Sequence, residues 1–153
     1  MPAPAMIEAR LRVAYGDTDQ MGVVYYANYL RYFELARGEY IRARGRTYRD
    51  IERDGALLPV VEAHVQYNAP ARYDDLLVVR TRVQQLRRVT ITFGYEVLRE
   101  GEQGVLCVGH TVHACTNLQG RLIRIPPSLV PLLSEGGSEP EPPAGEGDVS
   151  GND

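Results

Sequence analysis

The chain has 153 residues, 44% hydrophobic and 24% charged, which fits one domain with a real core, and no apolar run approaches the ~18 residues of a membrane span. Its formal net charge of −3 is unevenly placed: residues 135–153 hold six acids and no base, so residues 1–134 carry 17 bases against 14 acids, a net of +3. A mildly cationic body suits a phosphorylated small molecule and gives no footing for nucleic-acid binding.

All 17 bases are arginine, which we read as compositional bias or adaptation to heat and not as mechanism. The first residues, "MPAPAMIEARLRVAYG", lack a basic stretch followed by an apolar one. With no secretory pattern, the cytoplasm is the expected location.

In chain order, residues 6–16 alternate Ile7, Ala9, Leu11 and Val13 against Glu8, Arg10 and Arg12, a half-buried strand. Residues 28–44 place Tyr29, Tyr32, Phe33, Ala36, Tyr40 and Ala43 at spacings of three and four. That is the apolar stripe of a helix, with Asn28 as the expected cap and Gly45 as the stop. A short polar helix is expected at 47–54. Strands follow at 57–69, 75–86, 88–100 and 104–118, with a Gly-bounded hairpin turn at 99–104. A last short strand is expected at 121–126, followed by one helical turn. Residues 135–153 are Gly, Pro, Glu and Ser with almost nothing apolar, the composition of a disordered tail after a domain at 1–134. Long alternating strands around one helix leave a sheet edge unprotected, so a dimer that continues the sheet is expected.

Several chemistries are excluded. Serines occur only at 128, 134, 138 and 150, so there is no nucleophile elbow. No phosphate-cradling loop and no H-E-x-x-H are present. Cys107 and Cys115 lie eight residues apart on one strand, about 26 Å at ~3.3 Å per residue, too far to share one tetrahedral ion. They are expected to be small buried residues, and no metal is expected.

Asp17 and Asp19 remain, in a loop that ends where the helix begins. A helix start offers unpaired N–H groups and partial positive charge, able to polarise a carbonyl. A carboxylate beside it could attack that carbonyl or deprotonate a water that does. Aspartates ionise near pH ~3.9, as both roles require. On spacing alone the two acids fit equally well as turn or helix caps.

The stretch "GDTDQMGVVYYANYLRYFELAR" resembles the signature of the 4-hydroxybenzoyl-CoA thioesterase family, and the likeness continues in "YNAPARYDDLLVV", "LRRVTITF" and "RLIRIPPSLVPLL". It covers about 10–134. The resemblance implies the hotdog fold: an α+β domain whose antiparallel sheet of five to six strands wraps one long central helix. It implies hydrolysis of acyl-CoA thioesters, with Asp19 as general base or nucleophile and Asp17 structural. The backbone amide of Tyr26 would polarise the thioester carbonyl, and Gly22 would let the loop backbone pass close to substrate. Tyr25, Tyr29 and Tyr32 would line the acyl pocket, although Tyr29 and Tyr32, as stripe residues at helical spacing, fit the core better. Arg87 and Arg88, and more weakly Arg121 and Arg124, would meet CoA phosphates. No cofactor is needed, since the thioester is already activated. The expected assembly is a homo-oligomer, a dimer at least and a tetramer of two dimers. The chain reads "YYANY" where many relatives have "YHANY", so tyrosine replaces a histidine at position 26. Two rivals stay open: a dehydratase of 3-hydroxyacyl thioesters, although the loop has no histidine for it, and a non-catalytic protein that binds acyl-CoA or an acyl carrier.

Overall fold

The computed structural model describes residues 6–134; the acidic segment expected to be a tail lies outside the described residues. The elements are β1 (Met6–Arg12), a 3-10 turn (Tyr15–Asp17), α1 (Asn28–Ala43), α2 (Tyr48–Arg53), β2 (Val60–Tyr67), β3 (Leu76–Leu86), β4 (Thr90–Arg99), β5 (Val105–Ala114) and α3 (Val130–Ser134). One five-stranded sheet runs in the order β1-β3-β4-β5-β2, and all its neighbours are antiparallel. A single antiparallel sheet with one long helix against it is the hotdog arrangement.

The register fixes two ends of this sheet. Arg12 pairs with Leu76, Leu77 with Arg99, Val97 with Cys107 and Cys107 with Tyr67 at one end. Leu86 pairs with Ile91, Thr90 with Ala114 and Val60 with His113 at the other.

The helix stripe meets the sheet as its spacing requires. Tyr29, Tyr32, Phe33, Ala36 and Tyr40 are buried, while Ala43 is exposed. Phe33 stacks on Tyr95 of β4 at 4.3 Å, and Tyr40 meets Phe93 edge-on at 5.8 Å. Such ring pairs add about 0.5–1.5 kcal/mol each beyond their burial. Gly109 of β5 permits this approach: a Cβ there would lie 2.6 Å from the Phe33 ring and 2.7 Å from the His64 carbonyl oxygen.

The helix also buries a charge that its sequence did not advertise. Arg37 is 9% exposed and donates to the hydroxyls of Tyr48 (3.1 Å) and Tyr95 (3.2 Å). Tyr95 in turn bonds Thr111 (2.6 Å), Thr111 bonds His113 Nε2 (2.7 Å), and His113 Nδ1 meets the Leu58 carbonyl (2.8 Å). Each residue along this chain of contacts from Arg37 to His113 thus has a partner, the condition for tolerating it in a core. Burial pushes His113 down to about 4, so its ring is neutral at ordinary pH.

Three expectations differ. Residues 121–126 form no strand; Leu122 makes one isolated bridge to Thr116 because the chain immediately turns along Cys115 and Arg88 instead. The strand expected at 57–69 begins only at Val60, Pro59 having no N–H for the ladder. Asn28 does not cap α1: its side chain donates to the Asp17 carbonyl at 2.8 Å. Gly45 does end the helix, with its N–H on the Arg42 carbonyl and that of Arg46 on Ile41.

Candidate active site

The loop between β1 and α1 is folded by its own acids. Asp17 is 8% exposed. Its Oδ1 pairs with Arg31, and its Oδ2 accepts from the Tyr32 hydroxyl at 2.9 Å and the Ala14 N–H at 3.0 Å. Its carbonyl accepts from the Tyr25 N–H (2.9 Å) and the Asn28 side chain. This carboxylate ties loop to helix, with both of its oxygens engaged. The same contact raises the Tyr32 phenol, for which burial is the larger cause.

Two residues later the situation reverses. Asp19 is half-buried and accepts one hydrogen bond, from the Met21 N–H at 2.9 Å. Its backbone closes a tight turn: Gly22 N–H donates to the Asp19 carbonyl at 3.0 Å, and Asp19 N–H to Val23 at 3.0 Å. Gly22 has φ +77°, the left-handed region that a side chain disfavours, so glycine is what lets this turn close.

Asp19 lines a cleft of about 300 Å³ with Tyr26, Tyr29 and Tyr67, closed by Met21 and the Asn68–Pro70 segment. The cleft lies at the entry to α1. There the N–H groups of Tyr26 and Ala27 have no acceptor among the described residues, while Asn28 N–H donates back to Tyr25 at 2.9 Å. A carboxylate, a residue with an unpaired amide (Tyr26) and an aromatic wall therefore share one opening. That set can activate water or attack, stabilise an oxyanion, and hold an apolar or aromatic group.

The residues expected to bind substrate divide. Tyr29 lines the cleft and is 3% exposed, so its ring is wall and core at once. Gly22 shapes the loop without lining the cleft, and Tyr25 lies outside it, its ring 4.6 Å from that of Tyr26. Arg87 and Arg88 are both exposed just past β3, and the Ile125 N–H donates to the Arg88 carbonyl at 2.9 Å. Arg121 and Arg124, also exposed, are thereby brought to the same end of the sheet. That is the end opposite Asp19, about 30 Å away along β4 at ~3.3 Å per residue. One chain does not bring these four arginines to its own cleft.

Tyr67 was not singled out by sequence. It ends β2, 41 residues from Tyr26, yet its hydroxyl donates to the Tyr26 carbonyl at 2.8 Å. No spacing rule reaches that far; the only sequence signal is an aromatic at the close of a strand beside a Pro-containing connection. Elsewhere, a larger groove of about 610 Å³ runs between α1, α2 and residues 56–59, and it includes neither Asp19 nor Tyr26. Glu62 and His64 are exposed, His64 stacking on His110 at 5.3 Å, with no cavity shared with Asp19. Both cysteines are buried, and burial pushes Cys107 up to about 12, far from a reactive thiolate.

The sequence matches the thioesterase-like superfamily over residues 13–133. It is 34% identical over 126 residues to a putative esterase of Aquifex aeolicus, covering 82% of this chain and 96% of that one. It is 34% identical over 105 residues to the acyl-CoA thioester hydrolase YbgC of Escherichia coli O6:H1, covering 64% of this chain and 78% of that one. Among solved structures, the DHNA-CoA thioesterase of Staphylococcus aureus superposes with a TM-score of 0.74 at 31% identity, covering 78% of this chain and 80% of that one.

Proposed function

The chain belongs to the thioesterase-like superfamily, and on that footing we propose that it hydrolyses acyl-CoA thioesters to a carboxylic acid and free CoA. The observation that carries the reading is the shared cleft: Asp19 stands in the same opening as Tyr26, whose N–H at the entry to α1 has no acceptor among the described residues. The larger groove beside α2 lacks that pairing of a carboxylate with free donors.

The thioester carbonyl sits against the Tyr26 N–H, whose hydrogen bond strengthens as the oxygen gains charge; such a donor contributes ~2.7–4 kcal/mol to the barrier. As general base, Asp19 takes a proton from water while the water oxygen bonds to the carbonyl carbon. The tetrahedral oxyanion collapses, the carbon–sulfur bond breaks, and the departing thiolate takes up a proton. As nucleophile, the Asp19 carboxylate bonds to that carbon instead, expels the thiolate, and the resulting anhydride is opened by water. Single-turnover hydrolysis in ¹⁸O-water separates the routes.

We also infer a homo-oligomer, a dimer at least and a tetramer of two dimers. β2 supports this: it is a sheet edge, exposed over nearly its whole length, with Val60, Val61 and Tyr67 open to solvent. Antiparallel pairing of two such edges sets the arginine end of one sheet beside the Asp19 end of its neighbour. Arg87, Arg88, Arg121 and Arg124 would then serve CoA phosphates in a second copy's cleft.

The test is thiol release across short, long and aromatic CoA esters, with and without Asp19→Asn. Release by the wild type that vanishes in the variant, at unchanged folding, supports the assignment. No release from any ester, or full activity in the variant, overturns it.

A further inference from the structure

The arginine end of the sheet is assembled by backbone contacts between distant segments. The Arg87 N–H donates to the Thr90 carbonyl at 2.9 Å and closes the turn after β3. Beyond it, the Cys115 N–H reaches the Val89 carbonyl (2.8 Å), the Ile123 N–H that of Cys115 (2.9 Å) and the Ile125 N–H that of Arg88 (2.9 Å). These bonds lay residues 121–125 beside the turn and gather Arg87, Arg88, Arg121 and Arg124, all exposed.

This patch differs from the rest of the surface in what neutralises it. Arg10, Arg42, Arg46 and Arg99 each meet a carboxylate. No ion pair among the described residues involves Arg88, Arg121 or Arg124. The reason is compositional: neither residues 76–95 nor residues 103–134 contain an Asp or a Glu. The acids missing there come directly afterwards. Glu135, Glu139, Glu141, Glu146, Asp148 and Asp153 lie in residues 135–153, with no base among them.

The reach is sufficient. Ser134 closes α3, and the path to it from Ile125 is four residues of loop followed by the five of the helix. At ~3.6 Å per extended residue and ~1.5 Å per helical one, Ser134 lies within about 22 Å of Ile125. Residues 135–153 can span up to about 65 Å beyond it. A tethered partner acts at an effective concentration of about millimolar, so contacts that are individually weak are enough to populate the site.

We propose that the acidic segment 135–153 docks on the arginine end, its carboxylates pairing with Arg88, Arg121 and Arg124, and that the phosphates of CoA must displace it. The docking stands on charge and reach. Its consequence for CoA rests on the hydrolase reading above and deepens it, because that reading sends CoA phosphates to the same arginines.

The test compares two full-length proteins, the wild type and a neutralised variant carrying Glu135→Gln, Glu139→Gln, Glu141→Gln, Glu146→Gln, Asp148→Asn and Asp153→Asn. At about 0.01 M salt, where charges act over ~30 Å, the variant is expected to show a KM for CoA esters about fivefold lower, with kcat within about twofold. At about 1 M salt, where charges act over ~3 Å, the two KM values are expected to coincide. Docking is read separately from a nitroxide on Ser150→Cys, since Cys107 and Cys115 are buried and do not take the label. Amide NMR signals of residues 87–90 and 121–125 are expected to broaden at low salt, and to sharpen at high salt or when the segment is neutralised. Equal KM values at low salt overturn the proposal. So does an arginine end whose signals the nitroxide leaves sharp; the four arginines then serve CoA alone. Should the wild type release no thiol from any ester, the hydrolase reading fails by itself, and the broadening still decides whether the segment docks.

Discussion

Asp17 and Asp19 are the same residue type two positions apart, and the fold gives them opposite surroundings. Asp17 is gripped by a guanidinium, a phenol and an amide. Asp19 holds one amide and otherwise faces an aromatic cleft. The difference shows what separates a structural acid from a reactive one. A carboxylate with both oxygens held by strong donors holds loops in place; one held by a single amide beside an unpaired donor can do chemistry.

Experiments can break this contrast or sharpen it. The largest effect is expected from Asp19→Asn: a fall in thiol release of about a thousandfold or more, with urea unfolding unchanged. Comparable loss of stability would erase the distinction. His113 belongs on the saturated side, with both ring nitrogens engaged. Its folded value of about 4 lies below the 6.5 of an ordinary imidazole. Between the two, the unfolded chain binds the extra proton. Stability is therefore full above about pH 6.5 and declines as pH falls toward about 4, by about 3 kcal/mol at most. Urea midpoints of wild type and His113→Gln over that window should differ in slope. Asp17→Ala strips the Tyr32 hydroxyl and the Ala14 N–H of their acceptor, and is expected to cost about 2–3 kcal/mol of stability, read by the same unfolding curves. Any loss of turnover there should track misplacement of the loop and stay well below that of Asp19→Asn. Tyr26→Phe should change least, within about threefold in kcat, because its assigned role runs through the backbone.

Much of the fold was legible because its signals are local. The alternation of Ile7 to Val13 and the stripe from Tyr29 to Tyr40 each register burial one residue at a time. Asp19 and Tyr26 were singled out through a long contiguous motif, and the structure brings both to one cleft. Other features were not, for physical reasons. Asn28 has the chemistry of a cap, but the Asp17 carbonyl competes for its side chain and wins. Arg37 lies between the stripe residues Ala36 and Tyr40, and nothing local shows that two phenols from other elements meet it. Tyr67 depends on a pairing across 41 residues. The separation of the arginines from Asp19 follows from sheet register, which no single strand's pattern reveals.

The bare backbone at residue 109 has a mechanical corollary. Phe33 rests where a methyl would otherwise project, so α1 sits at the least thickness the layers allow, with its entrance one turn and a half upstream. Even alanine there would act as a shim, lifting the rod and tilting the mouth where Asp19 waits. Such a variant is expected to lose catalysis at temperatures where its circular dichroism still reads native, a defect of alignment and not of melting.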